Sequence, residues 1–185
     1  MASSPFPSLR GQLLVSTPSL HDPSFRHTVV LVGEHTPDGA LGVILNRPLK
    51  LRVEEGIPQL APLVEPGALL FEGGPVHPTS PVLLAEFREG WAPDLPVFGR
   101  VGFLTGEVSE QVLPGIERAR VYAGYAGWGD GQLEGELAEG AWVLDPARVG
   151  DLFADDPEGL WRQVLLRKGP GFEEMARVPF DPRMN

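Results

Sequence analysis

The run "HTVVLVGEH", residues 27–35, sets apolar and β-branched side chains at successive positions rather than alternate ones. That is the pattern of a strand buried on both faces, so it predicts a central strand in a sheet covered on two sides. "TPDGA" follows, in which Pro37 presets φ, Asp38 bonds its own backbone and Gly39 takes positive φ, and then a second apolar run, "LGVILN". The three pieces predict a hairpin.

The other apolar runs are short. "GQLLVS" (11–16), "ALLFEGGPV" (68–76, turning at Gly73 and Gly74), "SPVLLAEF" (80–87), "RVGFLTG" (100–106), "RVYAGYAGW" (120–128) and "AWVLDP" (141–146) read as strands. Asp22 and Pro23 signal a sharp connection after the first strand, and Ser109 caps a turn or two that Pro114 ends. Near the C-terminus Asp156 is placed as an N-cap with Pro157 at the first helical position, and Gly169 with Pro170 stops the helix. Leu160, Trp161, Val164 and Leu165 form its apolar stripe, leaving Arg162, Arg167 and Lys168 toward solvent. A chain of 185 residues, 42% hydrophobic, with its 23 glycines and 20 prolines dispersed between apolar runs, predicts one domain of short elements and tight turns.

"GYAGWGDGQLEGELAEG", residues 124–140, sets four glycines ahead of a helix and invites a phosphate-loop reading. The spacing does not support it. A dinucleotide fingerprint starting at Gly127 and Gly129 requires a third glycine where Gln132 stands, and a Walker loop requires Lys and Ser or Thr where Asp130 and Gly131 stand. Asp130 and Glu134 at the helix start also repel an anion. The loop is therefore expected to turn the chain, with Gly129 or Asp130 capping, Leu133 and Leu137 on one helix face, and Gly140 as the stop. On this reading Gly127 and Gly129 let Trp128 and the backbone pack closely.

Charge and composition exclude further classes. With 25 acidic against 15 basic residues the net charge is −10, which opposes nucleic acid and anionic membrane surfaces, so neither is an expected partner. The absence of cysteine removes thiolate chemistry and cysteine metal sites. The first residues, "MASSPFPSLRGQLLV", lack both a basic start and an unbroken apolar run, and no later run approaches the roughly 20 residues of a spanning helix. A cytoplasmic location is expected.

Candidate chemistry is sparse. His21, Asp22, Ser24 and His27 include the residue types of a hydrolytic triad, but triads are assembled from distant segments, and turn chemistry at Asp22 and Pro23 accounts for them. His27, Glu34 and His35 do not make a metal site, because a regular strand sets His27 and His35 roughly 25 Å apart at about 3.3 Å per residue. His35 with Asp38 is expected to fix the hairpin turn, and no metal and no cofactor are expected. Asn46, Arg47, Glu72, Gln132 and Glu134 form a candidate polar binding surface, should the fold bring them together.

"HDPSFRHTVVLVGEHTPDGALGVILNRP", "FEGGPV" and "GYAGWGDGQLEGELAEGAW", in that order and spacing, closely resemble the YqgE/AlgH family of bacterial proteins, over residues 11 to about 169. The resemblance implies a single α+β domain, its mixed β-sheets bent into a pseudo-barrel with a few flanking helices. It implies no particular reaction, although some members are named as regulators. A histidine that often ends the "VLLAEF" strand in relatives is replaced here by Leu84 and Ala85. The leading expectation is a non-enzymatic interaction or regulatory module acting through a protein partner. The alternative is an enzyme using carboxylates such as Asp22, Glu34 or Glu72 as acid and base, and direct DNA binding ranks third.

Overall fold

The computed structural model describes residues 6–20 and 22–180. Strand β2 (Val29–Thr36) has the place its apolar run predicts. Val29, Val30, Leu31 and Val32 are all fully buried, and β2 pairs antiparallel with β1 (Gln12–Ser16) on one edge and β3 (Gly39–Ile44) on the other. The hairpin closes with Thr36 opposite Gly39. Gly39 has φ +144, and a Cβ there would lie 2.3 Å from the Trp128 carbonyl oxygen, so the position requires glycine.

The sheet runs in the order β10-β1-β2-β3-β9-β6-β8-β7. Its further strands are β6 (Val76–Phe87), β7 (Leu95–Phe98), β8 (Val101–Leu104), β9 (Ile116–Trp128) and β10 (Trp142–Pro146). Off this path, β5 (Leu69–Glu72) pairs parallel with β9 and antiparallel with β4 (Pro48–Arg52). The sheet is therefore mixed, and it curls without closing. A Cβ at Gly33 of β2 would fall 2.6 Å from the Phe103 ring of β8, which shows how near the far strands return.

Both faces are covered. Inside the curl, Leu13, Leu31, Val43, Leu84 and Tyr122 pack with Leu160, Trp161, Val164 and Leu165 of α4 (Leu160–Arg167). Outside, Leu14, Val30, Val32 and Ile44 pack with Trp128, Trp142 and Leu133 of α2 (Gln132–Ala138). A third cluster joins Leu83, Phe87 and Val121 to Val53 of α1 (Val53–Gly56). This two-sided burial is why the sheet's sequence reads as apolar runs rather than as alternation.

The closest backbone approach lies at Gly73, Gly74 and Gly124. A Cβ on Gly73 would stand 2.1 Å from the Gly124 oxygen, and one on Gly74 would stand 2.2 Å from the Tyr125 carbonyl carbon. "FEGGP" thus crosses β9 backbone against backbone. Gly127 meets only ordinary contacts and Gly129 open space, so the tight packing expected beside Trp128 sits instead at Gly124.

Other boundaries also differ from expectation. β6 begins at Val76, ahead of the expected residue 80, because a register shift between Val76 and Pro81 carries the strand past its prolines. β4 and β7 are short, proline-bearing and largely exposed, and so leave no apolar run to find. The α2 N-cap is Gly131, at φ +69, in place of Gly129 or Asp130. Its C-terminal stop is as expected: Gly140 has φ +76, and the Ala141 N–H donates to the Glu136 backbone carbonyl. Helix α4 begins only at Leu160, and Asp156 caps the preceding turn by accepting from Gly159 N at 3.1 Å. Arg162 is exposed, whereas Arg167 and Lys168 are only partly exposed and are held in contacts. The end of α4 abuts β10 and α3 (Val149–Leu152), so Arg167 donates to Asp145 at 2.8 Å and Asp151 at 2.6 Å, and Lys168 donates to the Leu144 carbonyl at 2.7 Å.

Candidate functional site

The polar residues named from sequence fall into two groups. In the first, Asp22 Oδ1 accepts from Ser24 N at 2.9 Å and Pro23 starts a short 3-10 turn, Pro23–Phe25. Asn46 accepts from Val29 N at 2.9 Å and donates to the His27 carbonyl at 2.7 Å, while Arg47 donates to the carbonyls of Ser24 and Arg26. The two side chains thus fasten the connection between β1 and β2. Burial lowers the pKa of Arg47, and the nearby carboxylates of Glu72 and Asp22 oppose that shift.

His21 lies outside the described residues. His27 sits at φ +51, outside β2, with its ring stacked on Trp161 at 3.8 Å, and burial followed by Arg26 lowers its pKa. Asp22 caps its own turn, so among the described residues no Ser, His and Asp form a hydrogen-bonded relay.

The second group lies beneath and on α2. A register shift in β2 between Val32 and Glu34 exchanges the faces of the residues after it. His35 therefore joins Val30 and Val32 under α2, and Glu34 turns the other way. The buried His35 ring accepts from Leu9 N at Nδ1 (3.0 Å), which leaves the neutral ring's proton on Nε2 to donate to Glu134 Oε1 at 2.6 Å. Its expected partner Asp38 instead donates its backbone N–H to Thr36 at 3.2 Å. Glu134's own backbone N–H, and then His35, hold its carboxyl below the usual range.

Gln132 accepts from Gly129 N at 3.1 Å and donates to Glu136 at 3.1 Å. Glu136, missed in the sequence, accepts from both Trp128 Nε1 at 2.9 Å and Trp142 Nε1 at 2.8 Å. Its signal was a carboxylate on a short helix flanked in sequence by two tryptophans. Among the described residues no hydrogen bond or ion pair joins Asn46, Arg47 and Glu72 to Gln132 and Glu134. Among the same residues no three His, Asp or Glu side chains are grouped to hold a metal ion.

Clefts among the described residues include a small apolar one and a larger one of mixed lining. The first, of about 310 Å³, lies between β2 and β3 on one side and β6, β7 and β8 on the other. Leu41, Val43, Val82, Leu83, Leu95, Phe103 and Leu104 line it, with Glu34, Thr105 and Tyr125 supplying the polar groups. Leu41 and Leu95 are 44% and 50% exposed, a large apolar surface left open to water.

The second cleft, of about 1010 Å³, has a mixed polar and apolar lining, and Arg120 Nη1 is buried there with no hydrogen-bond partner among the described residues. Arg118 bonds Glu86 at 2.7 Å, and Arg120 donates to the Ala154 carbonyl at 2.7 Å while lying 4.6 Å over the Phe71 ring. Burial lowers the pKa of Arg120 and pushes that of the Tyr122 phenol well above its ordinary range. Asp155, Asp156 and Glu158 line the same cleft and set negative charge beside the arginines.

The architecture is that of an α+β protein built on one open, curled sheet. The chain belongs to the AlgH-like family, whose model matches residues 13–173, in agreement with the resemblance carried by its motifs. A UPF0301 protein of Thermobifida fusca is 42% identical and one of Streptomyces coelicolor 40% identical, each comparison covering 96% of both chains. A crystal structure of a Corynebacterium diphtheriae protein superposes with a TM-score of 0.83 at 26% identity, over 96% of each chain. The solution structure of the AlgH protein from Pseudomonas aeruginosa gives 0.70 at 30% identity, over 97% of this chain and 98% of that one.

Proposed function

We propose that the protein is a non-catalytic interaction module that acts on a protein partner, receiving an apolar anchor of that partner in the smaller cleft. The observation that carries this reading is the open pairing of Leu41 and Leu95 at a cleft of about 310 Å³, a size suited to one or two apolar side chains. Covering these leucines removes apolar surface from water, which drives association.

The enzyme reading has less support. Glu34 opens on the apolar cleft, whereas Asp22 caps a turn and acts with Glu72 on the charge of Arg47. DNA binding has less again. Of the basic cluster on α4, Arg167 and Lys168 are tied to Asp145 and Asp151 or to backbone, leaving Arg162, on a chain of net charge −10. No helix among the described residues is long and apolar enough to cross a membrane, and we place the module's action in the cytoplasm.

The test is peptide display against the whole protein, with counter-selection on Leu41→Gln/Leu95→Gln. The reading expects enriched peptides that share apolar anchors and lose binding to the double variant. Enrichment indifferent to the two substitutions, or none at all, would count against it.

A further inference from the structure

The rim of the apolar cleft has a consistent sign. Glu34 lines it directly and is exposed. Asp94 Oδ2 accepts from the N–H of Thr105, a lining residue, at 2.9 Å, and Glu107 stands between the lining residues Gly106 and Val108. No lysine or arginine is among the lining residues. An apolar floor with carboxylates at its margin, none of them in an ion pair among the described residues, is complementary to an apolar chain segment that carries positive charge.

We propose that the occupant of the cleft is a basic amphipathic segment of a partner protein, its aliphatic or aromatic side chain seated among Leu41, Leu95 and Phe103 and its Lys or Arg side chains against Glu34, Asp94 and Glu107. This rests on the reading of the cleft as the binding site and adds the chemistry of the partner. The apolar contact supplies the seat, and the carboxylates supply orientation, faster encounter and discrimination against acidic segments. A protein of net charge −10 repels acidic and attracts basic chains at long range, but the rim adds a local preference that distant acidic residues do not.

The experiment titrates the full-length protein with three labelled peptides of one length and one set of leucine anchors, flanked by lysine, by glutamine or by glutamate. Each is measured by fluorescence anisotropy at low and at moderate salt. The lysine peptide is expected to bind roughly tenfold more tightly than the glutamine peptide at low salt, with the glutamate peptide weakest. The advantage should shrink as salt rises. The triple variant Glu34→Gln/Asp94→Asn/Glu107→Gln should remove that advantage. A second triple, Glu54→Gln/Glu139→Gln/Glu173→Gln, changes net charge equally at exposed positions outside the cleft lining and should preserve it. Equal affinity for the lysine and glutamine peptides, with both abolished by Leu95→Gln, overturns the basic partner while leaving the cleft as the site. Equal loss of the lysine preference in the two triples overturns it too, by assigning the preference to net charge. Failure of every peptide to bind overturns the cleft reading and this inference together.

Discussion

β2 serves two apolar regions that end differently. Val30 and Val32 lie under α2, where Leu133 covers them and the tryptophan N–H groups and His35 find partners on Glu136 and Glu134. Beyond the register shift, Gly33 and Glu34 open on a cleft where Leu41 and Leu95 remain half exposed. The first region is closed by the chain's own helix, with its polar groups matched, and belongs to stability. The second has the same apolar character but is not closed by an α-helix, with only Leu60 of the 3-10 helix Pro58–Leu63 on its wall. Substitutions should therefore separate the two, costing folding on one side and binding on the other.

The largest effect is expected at Leu133, which is 1% exposed. Leu133→Ala should cost about 3 kcal/mol of unfolding free energy by denaturant titration, through lost burial and the cavity left behind. Glu136→Ala should follow at about 2 kcal/mol, because two indole N–H groups lose one charged acceptor. Glu136→Gln, which keeps an acceptor oxygen, should recover part of that loss.

On the open side, Leu95→Gln should leave stability within about 0.5 kcal/mol while weakening binding of a leucine-anchored peptide. A Leu95→Gln loss as large as that of Leu133→Ala would erase the distinction between the regions.

The smallest effect concerns pH. Glu134's folded-state pKa is depressed, so its contribution is present above the unfolded carboxylate value and is lost as pH falls through the folded one. Its carboxylate is 46% exposed, so solvent screening keeps the effect modest. Glu134→Gln should flatten the acid limb of stability against pH and change little near neutrality.

How far the sequence announced this arrangement depends on the kind of signal. "VVLV" and the Leu160, Trp161, Val164 and Leu165 stripe are long patterns that only burial explains, and both lie in the core. The hairpin at Gly39 and the stop at Gly140 were legible because few residues other than glycine suit such backbone. The register shift was not, since one irregular residue leaves no compositional mark. It sets His35 under α2 with Val30 and Val32 and turns Glu34 toward the cleft, the reverse of what regular alternation after Val32 gives. The uses of Asn46 and Arg47 were half legible: their place at a strand end could be read, but their fastening of residues 24–29 is tertiary. The cleft itself joins residues far apart in sequence, Leu41 and Leu95 among them, and no local period links them.

The most direct measurement is an amide NMR titration of the full-length protein with the lysine-flanked, leucine-anchored peptide. The account predicts saturable shifts at Gly33, Leu41, Leu95, Phe103, Thr105 and Tyr125, with Leu133, Glu136 and Arg47 unmoved. Shifts centred on α2 or on the Arg47 loop, or none at saturating peptide, would contradict the assignment of the open cleft as the binding site.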